Sequence, residues 1–142
     1  MAIETPQGLL KLISYVGVRR AGRLLIVRYD TPPNPDKPGW WIPAPEAAYG
    51  EDPLEVAARE LSRLGYDDVM PRVVDVESFP VGERNWHVVV HCLAEVHADP
   101  QPGAGIAQWR WCSEAELPEA AEFAHKRWEQ ALARRLIRFG AA

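Results

Sequence analysis

The sequence has few of the features that cross-link a protein or hold it in a membrane. It contains only two cysteines, Cys92 and Cys112, which excludes a framework of several disulfides and a C-x-x-C site. It has no apolar run of the roughly 18 residues that a membrane-spanning helix requires. The first residues, MAIETPQG, lack the basic start and the apolar centre of a secretory signal. We therefore predict a cytoplasmic protein with no membrane partner.

An excess of positive charge is also absent. The chain has 16 Lys and Arg against 20 Asp and Glu, which gives a formal net charge of −4, and the acidic residues are concentrated in residues 31–119. Because proteins that bind nucleic acids usually present a dominant basic surface, we expect no nucleic-acid partner. The acidic middle is compatible either with divalent cations or with an ordinary solvated surface.

What the sequence does contain is a regular alternation of strand and helix patterns. A length of 142 residues supplies one sizeable core, so we predict a single domain over residues 1–142. Runs rich in β-branched and aromatic residues predict strands, and helical spacing of apolar residues predicts two helices. The predicted strands are 9–19, 23–29, 40–43, 72–80, 85–96 and 106–111, and the predicted helices are 53–64 and 119–138. This order predicts an α/β fold in which helices cover both faces of a mixed sheet.

The first predicted helix has clear boundaries. Asp52 is a good N-cap acceptor, and Pro53 suits the first helical position. An apolar stripe then recurs at helical spacing and ends at Gly65, which is a common residue after a helix. The stripe consists of Leu54, Ala57, Ala58, Leu61 and Leu64.

Six tryptophans and two cysteines are the main candidates for buried or ligand-stacking side chains. The residues that fit apolar stripes are predicted to lie in the core; they are Cys92, Trp109, Trp111 and Trp128. Trp40 and Trp41 stand beside a proline-rich loop, and we name them as candidate ligand-binding residues that could stack on a base. The alternative for Trp40 and Trp41 is an ordinary place in the core.

The segment 40–66, WWIPAPEAAYGEDPLEVAARELSRLGY, resembles the Nudix box, G-x5-E-x7-R-E-U-x-E-E-x-G-U, in which U is a bulky aliphatic residue. Glu51 matches the first glutamate of the box, and Arg59-Glu60-Leu61 matches R-E-U at the required spacing. The flanking segments GVRRAGRLLIVRY and IAQWRWCSEAELPE also resemble the strands that surround the box in this family. The resemblance implies a Nudix-like α/β/α sandwich with a mixed sheet flanked by helices.

The resemblance also implies a chemistry. Members of the family hydrolyse a nucleoside diphosphate linked to another group, and glutamates on one helix face hold the Mg²⁺ or Mn²⁺ that neutralises the phosphates. It therefore names Glu60, Glu51 and Arg59 as residual catalytic positions, with Glu60 as the candidate metal ligand. The implied partners are a nucleotide-type small molecule and a second copy of the chain, because Nudix-like domains often form homodimers.

The box departs from the family pattern at the positions that hold the metal. Counting from Glu60, position i+3 is Arg63 and position i+4 is Leu64, so both further glutamates are missing. Gly65 arrives one residue early, and Ala44-Pro45 replaces the usual pair of glycines. A single carboxylate is a poor ligand set for Mg²⁺, which prefers several oxygens in an octahedral arrangement.

Each surviving box residue also has a purely structural interpretation. Leu64 extends the apolar stripe and is predicted to lie in the core. Arg63 is placed to form a surface ion pair with Glu60, and Arg59 is four residues from Glu55. Glu51 precedes the N-cap and suits the helix dipole there.

Two functions from different classes remain open after this comparison. The first is a nucleotide-binding or interaction module with weak or no hydrolase activity, for which the cofactor is unknown. The second is an active pyrophosphohydrolase that uses Glu60, Glu51 and acids from elsewhere in the chain. Mg²⁺ or Mn²⁺ is implied only by the second function.

Overall fold

The computed structural model describes residues 2–140, and within them seven strands form one sheet. The strands are β1 (Ile3–Thr5), β2 (Gly8–Arg20), β3 (Arg23–Tyr29), β4 (Glu46–Ala47), β5 (Arg72–Val81), β6 (Asn85–Glu95) and β7 (Ile106–Cys112). The helices are α1 (Pro53–Arg63) and α2 (Lys126–Arg138), and short 3-10 turns cover Glu114–Glu116 and Ala120–Glu122. The main path of the sheet runs β5-β6-β2-β3-β7, with β1 and β4 each paired to β2.

The sheet is mixed because its central pair is parallel. β2 runs parallel to β6 from Leu9↔Asn85 to Arg19↔Glu95, whereas every other strand pair is antiparallel. β2 and β3 pair only next to their hairpin and then separate. Segment 41–47 fills the space between them: Val16 donates its N–H to the Pro43 carbonyl at 2.8 Å, and Trp41 pairs with Val27. The box segment is thereby fixed against the centre of the sheet.

Apolar residues pack on both faces of this sheet. The cluster on the α1 side includes Val16, Leu25, Ala57, Leu61 and Val90. The cluster on the α2 side includes Tyr15, Leu24, Ile26, Leu132 and Leu136. Because alternate residues of a strand face opposite sides, β2 and β3 contribute to both clusters. The predicted sandwich, with a mixed sheet between helices, is confirmed.

Helix α1 begins and ends as the sequence predicts. The Asp52 side chain accepts the Leu54 N–H at 2.9 Å, and Pro53 opens the helix. Leu64 is the C-cap, and Gly65 follows with φ of 94°, a conformation that favours glycine. A Cβ on Gly65 would lie 3.0 Å from the Gln101 side chain, so the close approach of residue 101 also favours glycine here.

The predicted helix over 119–138 is wrong in its first part. Residues 120–122 form a 3-10 turn, Phe123 is extended, and α2 begins only at Lys126. The reason is a tertiary contact, since the Trp40 N–H donates to the Glu122 carbonyl and the Ala124 N–H donates to the Trp40 carbonyl. This pairing holds Phe123 in an extended form that a continuous helix would break. No helix in the described part of the chain has the length and apolar character to cross a membrane.

The structure also corrects one of the tryptophan predictions. Trp109 is 37% exposed on β7 and does not belong to the core, whereas Trp111 and Trp128 are half-buried. Cys92 is fully buried, as the sequence predicts. Strand β1 was not expected from the sequence pattern. It pairs with the start of β2 through a tight turn, in which Thr5 Oγ1 donates to the Gly8 carbonyl.

Candidate functional site

Two of the box residues form a salt bridge that ties the loop before α1 to the helix. Arg59 Nη2 donates to Glu51 Oε2 at 2.5 Å, and Glu51 Oε1 accepts the Ala48 N–H at 2.7 Å. These two hydrogen bonds lower the pKa of Glu51, the contact from Ala48 having the larger effect. Arg59 therefore pairs with Glu51 rather than with Glu55, the local partner that the spacing had suggested.

The Glu60 carboxylate lies on the inner side of α1. Its side chain is 7% exposed, and Arg63 Nη1 donates to Glu60 Oε1 at 3.0 Å. The predicted pair between these residues is confirmed, but the carboxylate is buried rather than on the surface. Burial raises the pKa of Glu60, and the opposing effect of Arg63 is smaller.

The last turn of α1 leaves little space for further carboxylates. Leu64 is 1% exposed and packs in the cluster on the α1 side, so its predicted place in the core is confirmed. A small cavity of about 240 Å³ lies beside this turn. It is lined by Glu60, Arg63, Leu64, Gly103, Ala104 and Ile106. Among residues 2–140, no three His, Cys, Asp or Glu side chains are grouped so that they could hold a metal ion.

A much larger cleft of about 870 Å³ opens on the α2 side of the sheet. We call it the sheet cleft, and its walls come from β2, β5, β6, the proline-rich loop 31–39 and the start of α2. Its aromatic wall consists of Tyr15, Trp41, Phe79 and Trp128. The rings meet edge to face, with centroids 5.0 Å apart for Tyr15 and Trp128. This enclosure gives planar ligands several apolar surfaces to contact.

The charged groups that line the sheet cleft are mostly cationic or basic. They are Lys11, Lys37, Lys126, His87 and His125, with Glu46 as the acidic member of the lining. Lys11 Nζ pairs with Glu46 at 3.6 Å, and Lys126 Nζ donates to the Ala121 carbonyl at 3.1 Å. Burial, followed by the Lys11 charge, lowers the pKa of His87. Burial also raises the pKa of Tyr15, so its phenol stays protonated at neutral pH.

A buried carboxylate, that of Glu129, holds His125 in the sheet cleft. Glu129 is 0% exposed and accepts three hydrogen bonds. Glu129 Oε1 contacts the His125 backbone N–H at 3.0 Å and its Nδ1 at 3.1 Å, and Oε2 accepts the Ile42 N–H at 2.7 Å. One carboxylate thus fixes both a cleft side chain and the strand segment beside it.

The structure separates the two candidate ligand-binding tryptophans. Trp41 is 6% exposed and packs in the cluster on the α1 side, and it also lines the sheet cleft, with its ring centroid 4.8 Å from that of His125. Trp40 is buried in the α2-side cluster, with the guanidiniums of Arg28 and Arg110 at 4.6 and 4.8 Å from its ring centroid. The box residues Glu51, Arg59 and Glu60 do not line the sheet cleft.

Sequence reasoning missed most of the sheet cleft. Tyr15 lies on β2 and His87 lies on β6, and the two residues come together because these strands are parallel neighbours. The strand patterns in the sequence do not show this pairing. The one usable signal was the spacing of His125 and Glu129, because residues four apart share a helix face. The broken start of α2 obscured this signal, because the pattern predicted a continuous helix there.

Comparison with known proteins agrees with the fold and with the family that the sequence resembles. The family model described as NUDIX domain matches residues 13–133. The MutT protein from Methanosarcina mazei Go1 is similar over 98% of this chain and 100% of that chain, with a TM-score of 0.68 and 18% identity. A NUDIX hydrolase from Nitrosomonas europaea is similar over 92% of this chain and 71% of that chain, with a TM-score of 0.66 and 16% identity.

A further solved structure of the same fold is an Ap4A hydrolase from C. elegans. It is similar over 89% of this chain and 96% of that chain, with a TM-score of 0.62 and 19% identity. No curated protein matches the chain. The likeness to these structures concerns the fold alone, whereas the family model spans the segment from β2 to α2 and contains the whole box. The chain therefore belongs to the NUDIX domain family.

Proposed function

We propose that this NUDIX domain binds a nucleotide-type ligand in the sheet cleft and has weak or no hydrolase activity. The observation that carries the proposal is the combination of aromatic and cationic groups in one cleft of about 870 Å³. That volume lies within the range of small-molecule sites, which is roughly 300 to 1,000 Å³.

The chemistry of the cleft lining suits the two halves of a nucleotide. Stacking or edge contacts with rings such as Phe79 and Trp128 would stabilise a bound base. Ammonium groups would stabilise a bound phosphate, and Lys37 and Lys11 supply two of them at the cleft. A neutral apolar ligand would leave these lysines without a role in binding.

The box residues fit a divalent metal poorly, and this supports the low activity in the proposal. Mg²⁺ requires several oxygen ligands at near-octahedral positions. Glu60 offers one carboxylate, which Arg63 already contacts, and Glu51 is held by Arg59 and by the Ala48 N–H. Leu64 presents a buried methyl surface at the position of a family glutamate.

The second candidate is an active pyrophosphohydrolase with non-standard ligands. It is favoured by the position of Glu60, whose side chain borders the small cavity next to α1. The Glu51–Arg59 pair also keeps the loop and the helix of the box together. In that case Mg²⁺ or Mn²⁺ would be the cofactor, and acids from elsewhere would complete the site.

Calorimetric titration with AMP, ADP and ADP-ribose tests the proposal, each with EDTA and again with Mg²⁺, alongside an assay for AMP formed from ADP and from ADP-ribose. We expect binding that EDTA does not weaken and no AMP formation above the blank. Phe79→Ala should weaken binding roughly tenfold because it removes an aromatic wall. Val76→Ala is the matched control, since Val76 is 55% exposed and lies on the other face of β5.

Two outcomes would overturn this proposal. Failure of all three probes to bind would remove the nucleotide-binding function. Mg²⁺-dependent formation of AMP from ADP-ribose that disappears in Glu60→Gln would establish the hydrolase instead.

A further inference from the structure

His125 is presented to the sheet cleft by an unusual backbone at the start of α2. It is the N-cap residue, and Lys126, the first residue of the helix, has φ of 52°. A positive φ is uncommon for a residue with a side chain and costs free energy that the surrounding contacts must offset. Here the offset comes from Glu129, which accepts the His125 N–H, and from the pairing of residues 122–124 with Trp40.

The buried Glu129 carboxylate determines which imidazole nitrogen faces the ligand. A carboxylate is an acceptor only, so the contact at 3.1 Å requires that His125 Nδ1 carries the proton. In the neutral ring, Nε2 then holds a lone pair and is an acceptor. Among residues 2–140, Nε2 has no hydrogen-bond partner, and it is not one of the buried unsatisfied atoms, so it is open to the cleft.

The surroundings of His125 favour a planar ring over a phosphate at this point. The ring centroids of Trp41, Trp128 and Tyr15 lie 4.8, 6.2 and 6.3 Å from that of His125, all in edge-to-face geometry. A fully charged group would lose much of its hydration among these rings. A heteroaromatic ring that carries an N–H donor would gain apolar contact and a hydrogen bond together.

We propose that His125 is a specificity-determining residue of the sheet cleft. Its Glu129-oriented Nε2 accepts a hydrogen bond from an amino group on the base of the ligand. The cleft therefore prefers a purine with an exocyclic amino group to the same purine without it. This inference rests on the proposed nucleotide-binding function and adds to it the part of the ligand that is recognised.

A double-difference experiment tests this contact, with one group deleted from the ligand and one from the protein. The probes are AMP and purine riboside monophosphate, which lacks the amino group, and a second pair, GMP and inosine monophosphate. Titrations are made at pH 8. We expect the wild-type chain to bind the amino form of at least one pair about fivefold more tightly, the usual size of one neutral hydrogen bond.

The variants separate the hydrogen bond from the shape of the side chain. His125→Phe keeps a ring but removes the acceptor, so the ratio of the two affinities within a pair should fall to about one. The ligand that lacks the amino group should bind as tightly as it binds the wild-type chain. His125→Gln supplies an amide oxygen that can accept, so part of the preference should return. His97→Phe is the matched control, because His97 is exposed, lies outside the lining of the sheet cleft and should leave the preference intact.

The outcomes distinguish this inference from the function on which it depends. If the wild-type chain binds both members of each pair equally, or if His125→Phe keeps the preference, the inference is wrong and nucleotide binding stands. The same holds if none of the four probes binds while ADP or ADP-ribose does. If the wild-type chain binds none of these nucleotides, ADP and ADP-ribose included, the proposed function is wrong and this inference fails with it.

Discussion

Glu60 illustrates how a residue can keep its identity in a family motif while its surroundings change. In the intact box it is one of three glutamates around a metal, whereas here its neighbour at i+3 is Arg63, which donates to it. The carboxylate is nearly fully buried, and burial raises its pKa despite this contact. The charged form of Glu60 is therefore disfavoured in the folded protein relative to the unfolded chain.

This raised pKa makes the stability of the protein depend on pH. Because the folded state holds the Glu60 proton more tightly, the contribution of this group is lost as pH rises through the raised pKa. Glu60→Gln removes the titration and keeps an oxygen that can accept from Arg63. We expect Glu60→Gln to raise the melting temperature at pH 8 by a few degrees and to raise it least near pH 4, measured by calorimetry across this range.

The control for this prediction is Glu55→Gln, which changes an exposed glutamate on the same helix. We expect it to alter the melting temperature equally little at both pH values. A lower melting temperature for Glu60→Gln at pH 8 would mean that the ion pair with Arg63 outweighs the cost of burial.

Single residues could be placed from the sequence when a local pattern determined their environment. Leu64 and Cys92 follow apolar stripes, and both are buried. The burial of Glu129 could not be predicted, because a carboxylate is buried only where hydrogen-bond donors compensate for the lost water. One of those donors, the Ile42 N–H, belongs to a residue 87 positions away in the sequence. The roles of Glu51, Arg59, Trp40 and Trp41 in catalysis or binding stay predictions.

At the scale of elements, α1 shows how a helix end decides what a motif can hold. Leu64 is its C-cap and Gly65 takes a positive φ directly after it, so the helix stops before it could present a family-like last turn. Leu64, at position i+4 from Glu60, consequently faces the core and not the side of the helix on which the family pattern places its metal ligands. The sequence predicted this boundary correctly because Asp52, Pro53 and Gly65 are local signals.

Restoring the two missing glutamates should therefore damage the protein rather than repair the site. The double variant Arg63→Glu with Leu64→Glu places a carboxylate at a position that is 1% exposed. We expect a loss of about 2–4 kcal/mol in the free energy of unfolding, measured by urea denaturation, because the buried charge has no partner. Mg²⁺ affinity, measured by calorimetry on the folded fraction, should rise little.

The single variant Ser62→Glu is the matched control for this experiment. Ser62 is exposed on the same turn of α1, so its replacement should cost less than about 1 kcal/mol. A stable double variant that hydrolyses ADP-ribose with Mg²⁺ would contradict the prediction and show that the lost carboxylates alone had silenced the box.

The start of α2 was the element that sequence reasoning placed least well. Ala121 and Ala124 fit the apolar spacing of the helix that follows, so the pattern gave no sign of a break. The break depends on backbone pairing with Trp40, which lies far away in the sequence. Local periodicity cannot report a contact of this kind, and the same contact shapes the cleft around His125.

At the scale of the whole molecule, Glu129 joins layers that no sequence pattern connects. It lies on α2, holds the Ile42 N–H in the segment that fills the sheet, and orients His125 in the sheet cleft. The α/β sandwich itself was predictable from the order of strands and helices. The parallel pairing of β2 with β6, and hence the cleft, was not, because strand patterns do not identify partners.

Glu129→Ala should consequently destabilise the whole fold. It leaves the Ile42 and His125 N–H groups without their acceptor, and each buried donor without a partner costs about 1–3 kcal/mol. We expect a loss of about 3 kcal/mol in the free energy of unfolding, measured by urea denaturation. Glu55→Ala, on the exposed face of α1, should change it by less than about 0.5 kcal/mol. An effect of Glu129→Ala as small as that of the control would refute the prediction.

The predictions that concern partners and location stay predictions. A cytoplasmic location, the absence of a nucleic-acid partner and the formation of a homodimer all depend on molecules outside one chain. Their physical signals, such as net charge and exposed apolar residues, limit the choices but do not select among them.

The parallel pair of β2 and β6 has a consequence for the order in which the protein can fold. Its partners are separated by 76 residues, as for Arg19 and Glu95, and the ladder between them is the long central one of the sheet. A growing chain therefore completes β2 well before Asn85 is made, and until then β2 has only its short antiparallel neighbours. Closing so long a loop is slow, because the entropy of the chain is lost before the new contacts compensate for it. We therefore expect cooperative folding to begin only when the last third of the chain is being made.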